Sequence, residues 1–214
     1  MTRKALDALM EKIREDIKEM ADLASSAVLK ATEALDKNDV KLAKEVMVED
    51  GLINGYEHNI KSRSLQAMAL QQPVAKDLRF LSVSMDVAYN FERIGDFAKD
   101  IAESLTYLDS GYLMLDEITQ MGRLTSQMVK EAGEAFVKED TDKIASVMKM
   151  EDRVDELYKS VFPLLKRTVS EGTENCSSAL NLILISKFLE RIGDHSVNIA
   201  DRAMYKMSGR EEYL

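Results

Sequence analysis

Apolar side chains recur at steps of three and four along six long stretches of this chain, with charged and polar residues between them. The clearest stripe is Phe80, Val83, Val87, Phe91, Ile94, Ala98, Ile101 and Leu105, and another keeps Ile185, Leu189, Ile192 and Ile199 in matching places. That period predicts amphipathic α-helices, each with one face turned to a core. The first helix is expected over about 4–35, stopping at Asp36-Lys37-Asn38-Asp39, where short polar side chains favour turns and caps. The second runs from there to about residue 70 and is ended by Gln72-Pro73, because the residue before proline avoids helical geometry. The third covers about 75–105, and a break at Leu108-Asp109-Ser110-Gly111 follows. The last three are expected over about 115–137, 142–169 and 177–207. At 1.5 Å per residue each is roughly 35 to 48 Å long.

The pattern repeats. With a shift of 101 residues, Met20, Leu23 and Ala34 fall on Met121, Leu124 and Ala135. With the same shift Asp39, Val46, Met47, Asp50, Ile53 and Asn54 fall on Asp140, Val147, Met148, Glu151, Val154 and Asp155. The string FERIGDFAKDIAE from Phe91 returns, at a shift of 98, as LERIGDHSVNIAD from Leu189. Three residues are therefore missing from the second half between Ile60 and Leu182, and the candidate places are Gln71-Gln72-Pro73 and the run 170–178. A period near 100 suits a duplicated unit of domain size. Long helices with short connections pack antiparallel. The expected fold is all-α: two tandem antiparallel three-helix bundles, 1–108 and 109–214, joined end to end.

Composition supports this class and removes others. Nine Gly, two Pro, no Trp and 31% charged residues leave little to interrupt a helix and little turn chemistry for a sheet. The 13 Met and 6% aromatics are expected as core filler. A single cysteine, Cys176, excludes an internal disulfide framework and is expected to be buried or half-buried in a reducing compartment. With a net charge of -9 and no block of Lys or Arg, the chain would repel nucleic acid and anionic lipid. No targeting segment is visible, and the longest uncharged run, 176–186, falls short of the ~20 residues that span a bilayer. A soluble, cytoplasmic protein without membrane insertion is expected.

Charge then poses a chemical question. Glu92, Asp96 and Asp100 stand four residues apart, and the second copy reads Glu190, Asp194 and Asn198. Neighbours at that spacing are about 5–6 Å apart on one helix face. The rows lie roughly 140° to 220° from the middle of the apolar stripe and face outward. Arg93 and Arg191, three residues before Asp96 and Asp194, supply a plain alternative to metal: neutralisation by salt bridges. Asp50, Asn54 and Glu57 in the second helix, with Glu151 and Asp155 in the fifth, sit only about 20° to 80° from their own stripes. Carboxylates there turn toward neighbouring helices, and burying them without a partner is costly. A carboxylate-rich pocket between helices suits a hard divalent or ferric ion. Gly95 and Gly193, inside the acidic rows, each cost about 1 kcal/mol against alanine, which close approach by a helix or a ligand would explain. A ferritin-like di-iron enzyme needs Glu-x-x-His pairs; Gly55 and Ile192 precede His58 and His195 by three, so the pairs are absent. His195, next to Asp194, is a packing residue or an extra ligand.

Taken together, ERIGD in both halves, Gln72-Pro73 leading into Asp77-Leu78-Arg79, Asp50-Gly51-Leu52-Ile53-Asn54 and Asp152-Arg153-Val154-Asp155 resemble the PhoU family over nearly the whole chain. The resemblance implies two tandem three-helix bundles. It also implies a regulator with no established reaction, hence no catalytic residues, that acts with a phosphate ABC transporter ATPase and a sensor histidine kinase to damp the phosphate-starvation response. Some family members bind multinuclear iron, zinc or nickel through E/D-xxx-D motifs. By position this nominates Glu92, Asp96 and Asp100 for one metal site and Glu190 and Asp194 for the other, with Asp50, Asn54, Glu151 and Asp155 from adjacent helices. A single divalent cation such as Mg, or no metal, are the alternatives, and a homodimer is expected. Asn198 and Asn54 break the pattern, so the two sites should not be equivalent. The competing functions are a metal-free adaptor docking a basic partner surface and a carboxylate-bridged metal enzyme.

Overall fold

A computed structural model describes residues 3–108, 111, 112, 114–170 and 176–210. Six helices account for nearly all of them: α1 (Arg3–Lys37), α2 (Val40–Gln71), α3 (Ala75–Ser104), α4 (Asp116–Lys138), α5 (Thr141–Ser170) and α6 (Cys176–Ser208). A 3-10 turn, Leu105–Tyr107, extends α3. Every expected helix is present, with ends displaced by one or two residues; Asp109 and Ser110 of the expected break lie outside the described residues. The same local chemistry turns the chain in both halves. Asn38 and Glu139 take left-handed backbone, φ 51° and 58°. The following Asp39 and Asp140 cap the next helix, accepting from Lys41 and Leu42 N–H (3.0 Å each) and from Asp142 and Lys143 N–H (3.0 and 3.2 Å). Of the two candidate places for the three missing residues, the run 170–178 lies largely outside the described residues, at 171–175.

Within each half the three helices pack on one another, and all the stripe residues named above are buried. The halves are not joined end to end. α1 packs along α4, and α3 along α6, as extensively as helices within a bundle, so the two bundles lie side by side over one continuous core. The cause is a second buried face on α1 and α4 made of small residues. A Cβ at Gly133 would stand 2.4 Å from the Ala21 Cβ, and one at Gly122 would stand 2.4 Å from Thr32 Cγ2. Between these close approaches, Ser25 Oγ donates to the Ser126 carbonyl and Ser126 Oγ to the Ser25 carbonyl, both at 2.9 Å.

Ser25 and Ser126 are repeat equivalents (126 − 25 = 101), so their reciprocal bonds mark an internal twofold. Phe97 and His195 (195 − 97 = 98), with rings 5.7 Å apart on α3 and α6, mark it again. Cys176 is half-buried. No helix among the described residues is long and apolar enough to cross a membrane.

Candidate metal centres

Asp50 on α2, 5% exposed, is a deeply buried charged group of the first half and faces α3. Its Oδ2 accepts from Asn54 Nδ2 at 3.3 Å and lies 3.4 Å from Lys99 Nζ. Its Oδ1 is buried with no hydrogen-bond partner. Gly95 makes room for it: a Cβ there would stand 3.4 Å from Asp50 Oδ1 and 3.0 Å from Ile53 Cδ1. Glu92 and Asp96, half-buried, flank the pair from α3. Arg93 bridges Asp96 at 2.6 Å. The Glu92 carboxyl is pushed up by burial and then by Asp96, is relieved by Arg93, and feels Glu57 and Asp50. Asp100 stands apart, exposed in the groove between α3 and α6, and is raised by partial desolvation and then by Glu103 and Asp96. Asn54 is exposed.

The second half repeats the arrangement with one difference that decides its electrostatics. Glu151 on α5 occupies the place of Asp50, and a Cβ at Gly193 would come within 2.5 Å of its Oε2. That oxygen too is buried without a hydrogen-bond partner. The Lys99 position is Val197 (99 + 98), so no ammonium accompanies the buried carboxylate. Desolvation, then Asp194, Asp155, Glu190 and Asp152, raise Glu151 from 4.5 to about 7. Asp194 is raised by desolvation and Glu190, with Lys187 and Arg191 opposing. The nearby cation is spent elsewhere: Lys187 binds Glu190 at 2.5 Å, its Nζ 5.2 Å from the Tyr158 ring. Asp155 pairs with Lys159 at 3.1 Å. His195 belongs to the interface between bundles, its Nδ1 2.8 Å from Asn90 Oδ1, and burial followed by Arg93 and Arg191 lowers its pKa.

Six of the nine nominated residues thus surround two equivalent carboxylates, buried Asp50 and half-buried Glu151: Asn54, Glu92 and Asp96 around Asp50, and Asp155, Glu190 and Asp194 around Glu151. Asp100 is not drawn in. Salt-bridge neutralisation by arginine holds in the first half, at Asp96. Sequence reasoning missed Lys99, although the Lys99/Val197 difference inside the repeated string was its visible signal. Among the described residues no group of three or more His, Cys, Asp or Glu stands close enough to hold a metal ion in the present rotamers. The buried, unpartnered oxygens of Asp50 and Glu151 nonetheless fit a group that supplies positive charge. The Asp77-Leu78-Arg79 stretch has a structural use, since buried Asp77 pairs with Arg3 and ties the start of α3 to α1.

Two copies of a three-helix bundle, related by an internal twofold and each closing two helices over one buried carboxylate, define a duplicated helical-bundle protein with paired acidic centres. The profile of the PhoU domain matches residues 17–105 and again 118–203. This chain belongs to the PhoU family. It is 31% identical to a phosphate-specific transport system accessory protein PhoU homolog of Clostridium acetobutylicum, over 99% of this chain and 98% of the relative. A homolog of the same description from Aquifex aeolicus is 35% identical, covering 94% and 91%. The crystal structure of PhoU from Pseudomonas aeruginosa superposes with a TM-score of 0.90 at 33% identity, covering 95% of this chain and 99% of that one. The phosphate transport system regulatory protein PhoU from Streptococcus pneumoniae shares the fold, with a TM-score of 0.89 at 24% identity, covering 98% and 100%. These relatives are named as accessory and regulatory proteins of phosphate transport.

Proposed function

We propose that the protein regulates phosphate uptake and phosphate-responsive signalling in the cytoplasm through contacts with a phosphate ABC transporter ATPase and a sensor histidine kinase. The observation that carries this reading is family membership across both halves, with relatives of full length named as transport accessory proteins. The centres support a metal-linked version of it. Asp50, Glu92 and Asp96 in one half, and Glu151, Asp155, Glu190 and Asp194 in the other, would hold a hard or borderline cation such as iron, zinc, nickel or magnesium. A bound cation would supply the positive charge that Glu151 lacks and would draw carboxylates now held apart by mutual repulsion onto one point. Lys99 already supplies part of that charge to Asp50, so the second centre is the stronger of the two for metal.

Deletion of the gene in its own cell, with phosphate uptake and phosphate-responsive transcription followed at high phosphate, tests the reading. Derepression is the expected result; unchanged behaviour sinks it. Metal analysis of protein purified from metal-replete cells, repeated with Glu151→Gln, tests the cation independently.

A further inference from the structure

The seam where α3 meets α6 opens at one end into a groove of about 430 Å3 that the acidic centres do not use. Leu184 and Phe188 from α6 and Tyr107 from the end of α3 line it, with Asp100 and Glu103 on its rim. Leu180, one turn before Leu184, continues the ridge. Tyr107 at 67%, Leu180 at 58% and Leu184 at 47% are open to solvent, while Phe188 is half-buried, its ring stacked on Phe97. Leu180, Leu184 and Phe188 follow at steps of four, an apolar ridge about 12 Å long, which is the reach of two helical turns. The cations of the same stretch of α3 are engaged by other carboxylates: Arg93 by Asp96 and Lys99 by Asp50.

The internal twofold supplies a control within the molecule. At the far end of the seam a second groove, of about 390 Å3, holds Tyr205, the repeat equivalent of Tyr107, and Ser82, the equivalent of Leu180. Its chemistry differs: it carries Arg79, Ser82 and a single leucine, Leu78, while the first carries two carboxylates and a leucine ridge. Exposed large apolar side chains rimmed by charge of one sign mark a protein-binding face, and the sign selects the partner.

We propose that the groove formed by Tyr107, Leu180, Leu184 and Phe188, rimmed by Asp100 and Glu103, docks an amphipathic helical segment of a partner protein that presents large apolar anchors flanked by Lys or Arg. The proposal rests on the reading that the protein acts by protein–protein contact. The probe is a fluorescent synthetic peptide of about 14 residues, leucine and lysine placed at helical spacing, compared with the same peptide carrying glutamate for lysine. The lysine peptide binds wild-type protein with an affinity that falls as salt rises, and the glutamate peptide does not bind. Leu184→Ser and Glu103→Lys, checked for wild-type thermal unfolding, each weaken binding by about tenfold or more, and Arg79→Gln leaves it unchanged. Equal binding by Leu184→Ser and Glu103→Lys, or equal weakening by Arg79→Gln, overturns the proposal, since either means attraction to net charge alone. In the cell, the Leu184→Ser/Glu103→Lys double variant behaves like the deletion. If only the deletion alters phosphate response, the groove is wrong and the regulator reading stands. If the deletion alters nothing, the regulator reading fails and the peptide measurement still judges the groove.

Discussion

Replacing Glu151 by glutamine should stabilise this protein above neutral pH. The carboxyl is pushed from 4.5 to about 7 in the folded state. At about 1.4 kcal/mol per pH unit, that corresponds to about 3 kcal/mol against its charged form. Part of the side chain meets solvent, so screening brings the figure to about 1–2 kcal/mol. The sign follows from linkage. A carboxyl raised on folding binds its proton more tightly in the folded chain, so its destabilising effect is absent below about pH 4.5, grows between 4.5 and 7, and is complete above 7. Glutamine has the same shape and no charge to desolvate. Urea or thermal unfolding in the presence of a chelator, at pH 8 and at pH 5, isolates the term. Glu151→Gln should exceed wild type by about 1–2 kcal/mol at pH 8, which for a chain of this size raises the melting temperature by about 2–8 °C, and the gap should narrow at pH 5. Adding Zn2+ or Mg2+ at pH 8 should then stabilise wild type more than the variant. A variant no more stable than wild type at pH 8 would refute the electrostatic account of this centre.

Other positions give sharper packing tests. Gly133→Ala should cost about 1–3 kcal/mol despite the better helix propensity of alanine, because the new methyl meets the Ala21 Cβ across two backbones; Ala21→Gly in the same chain should restore much of the loss in urea unfolding. Ser25→Ala and Ser126→Ala should each destabilise by about 1 kcal/mol and be strongly non-additive in a double-mutant cycle, since each removes half of one reciprocal pair. Lys206, buried on α6, donates to the Phe136 carbonyl at the end of α4, with its Nζ 4.4 Å from the Phe136 ring. Lys206→Ala should lower stability by about 2–3 kcal/mol in thermal unfolding, through the lost donor and the cavity left behind.

How far the chain announces its fold depends on which contacts its side chains advertise. The stripe from Phe80 to Leu105 and its echo in α6 identify one core face per helix, and every member is buried. The second face of α1, with Ala21, Ala24, Ser25, Ala31 and Thr32 around Val28, is built mostly of small residues. Close backbone approach through small residues contributes dispersion without bulk, so the side-by-side union of the bundles was hidden while each bundle was plain. The candidate centres divide in the same way. The angular position of Asp50 and Glu151 on their helices turns them inward, and Gly95 and Gly193 mark places where a close approach would explain a mid-helix glycine. That the approaching groups are these same carboxylates requires two helices in register, which no single-helix period contains. Asp100 shares a row with Glu92 and Asp96, yet the accumulating offset of a four-residue step and the arrival of α6 carry it into a different groove.

The twofold through Ser25 and Ser126 makes the chain, in effect, a dimer whose subunits are fused. In a true homodimer any substitution appears twice, and both centres change together. Fusion releases that constraint while keeping the shared interface intact. Lys99 opposite Val197, Asp100 opposite Asn198 and the leucine ridge opposite Ser82 are differences that an assembly of identical subunits could not hold. One half thereby carries a counter-ion of its own, Lys99 beside Asp50, and the other has valine in its place, within a single folding unit and at fixed stoichiometry.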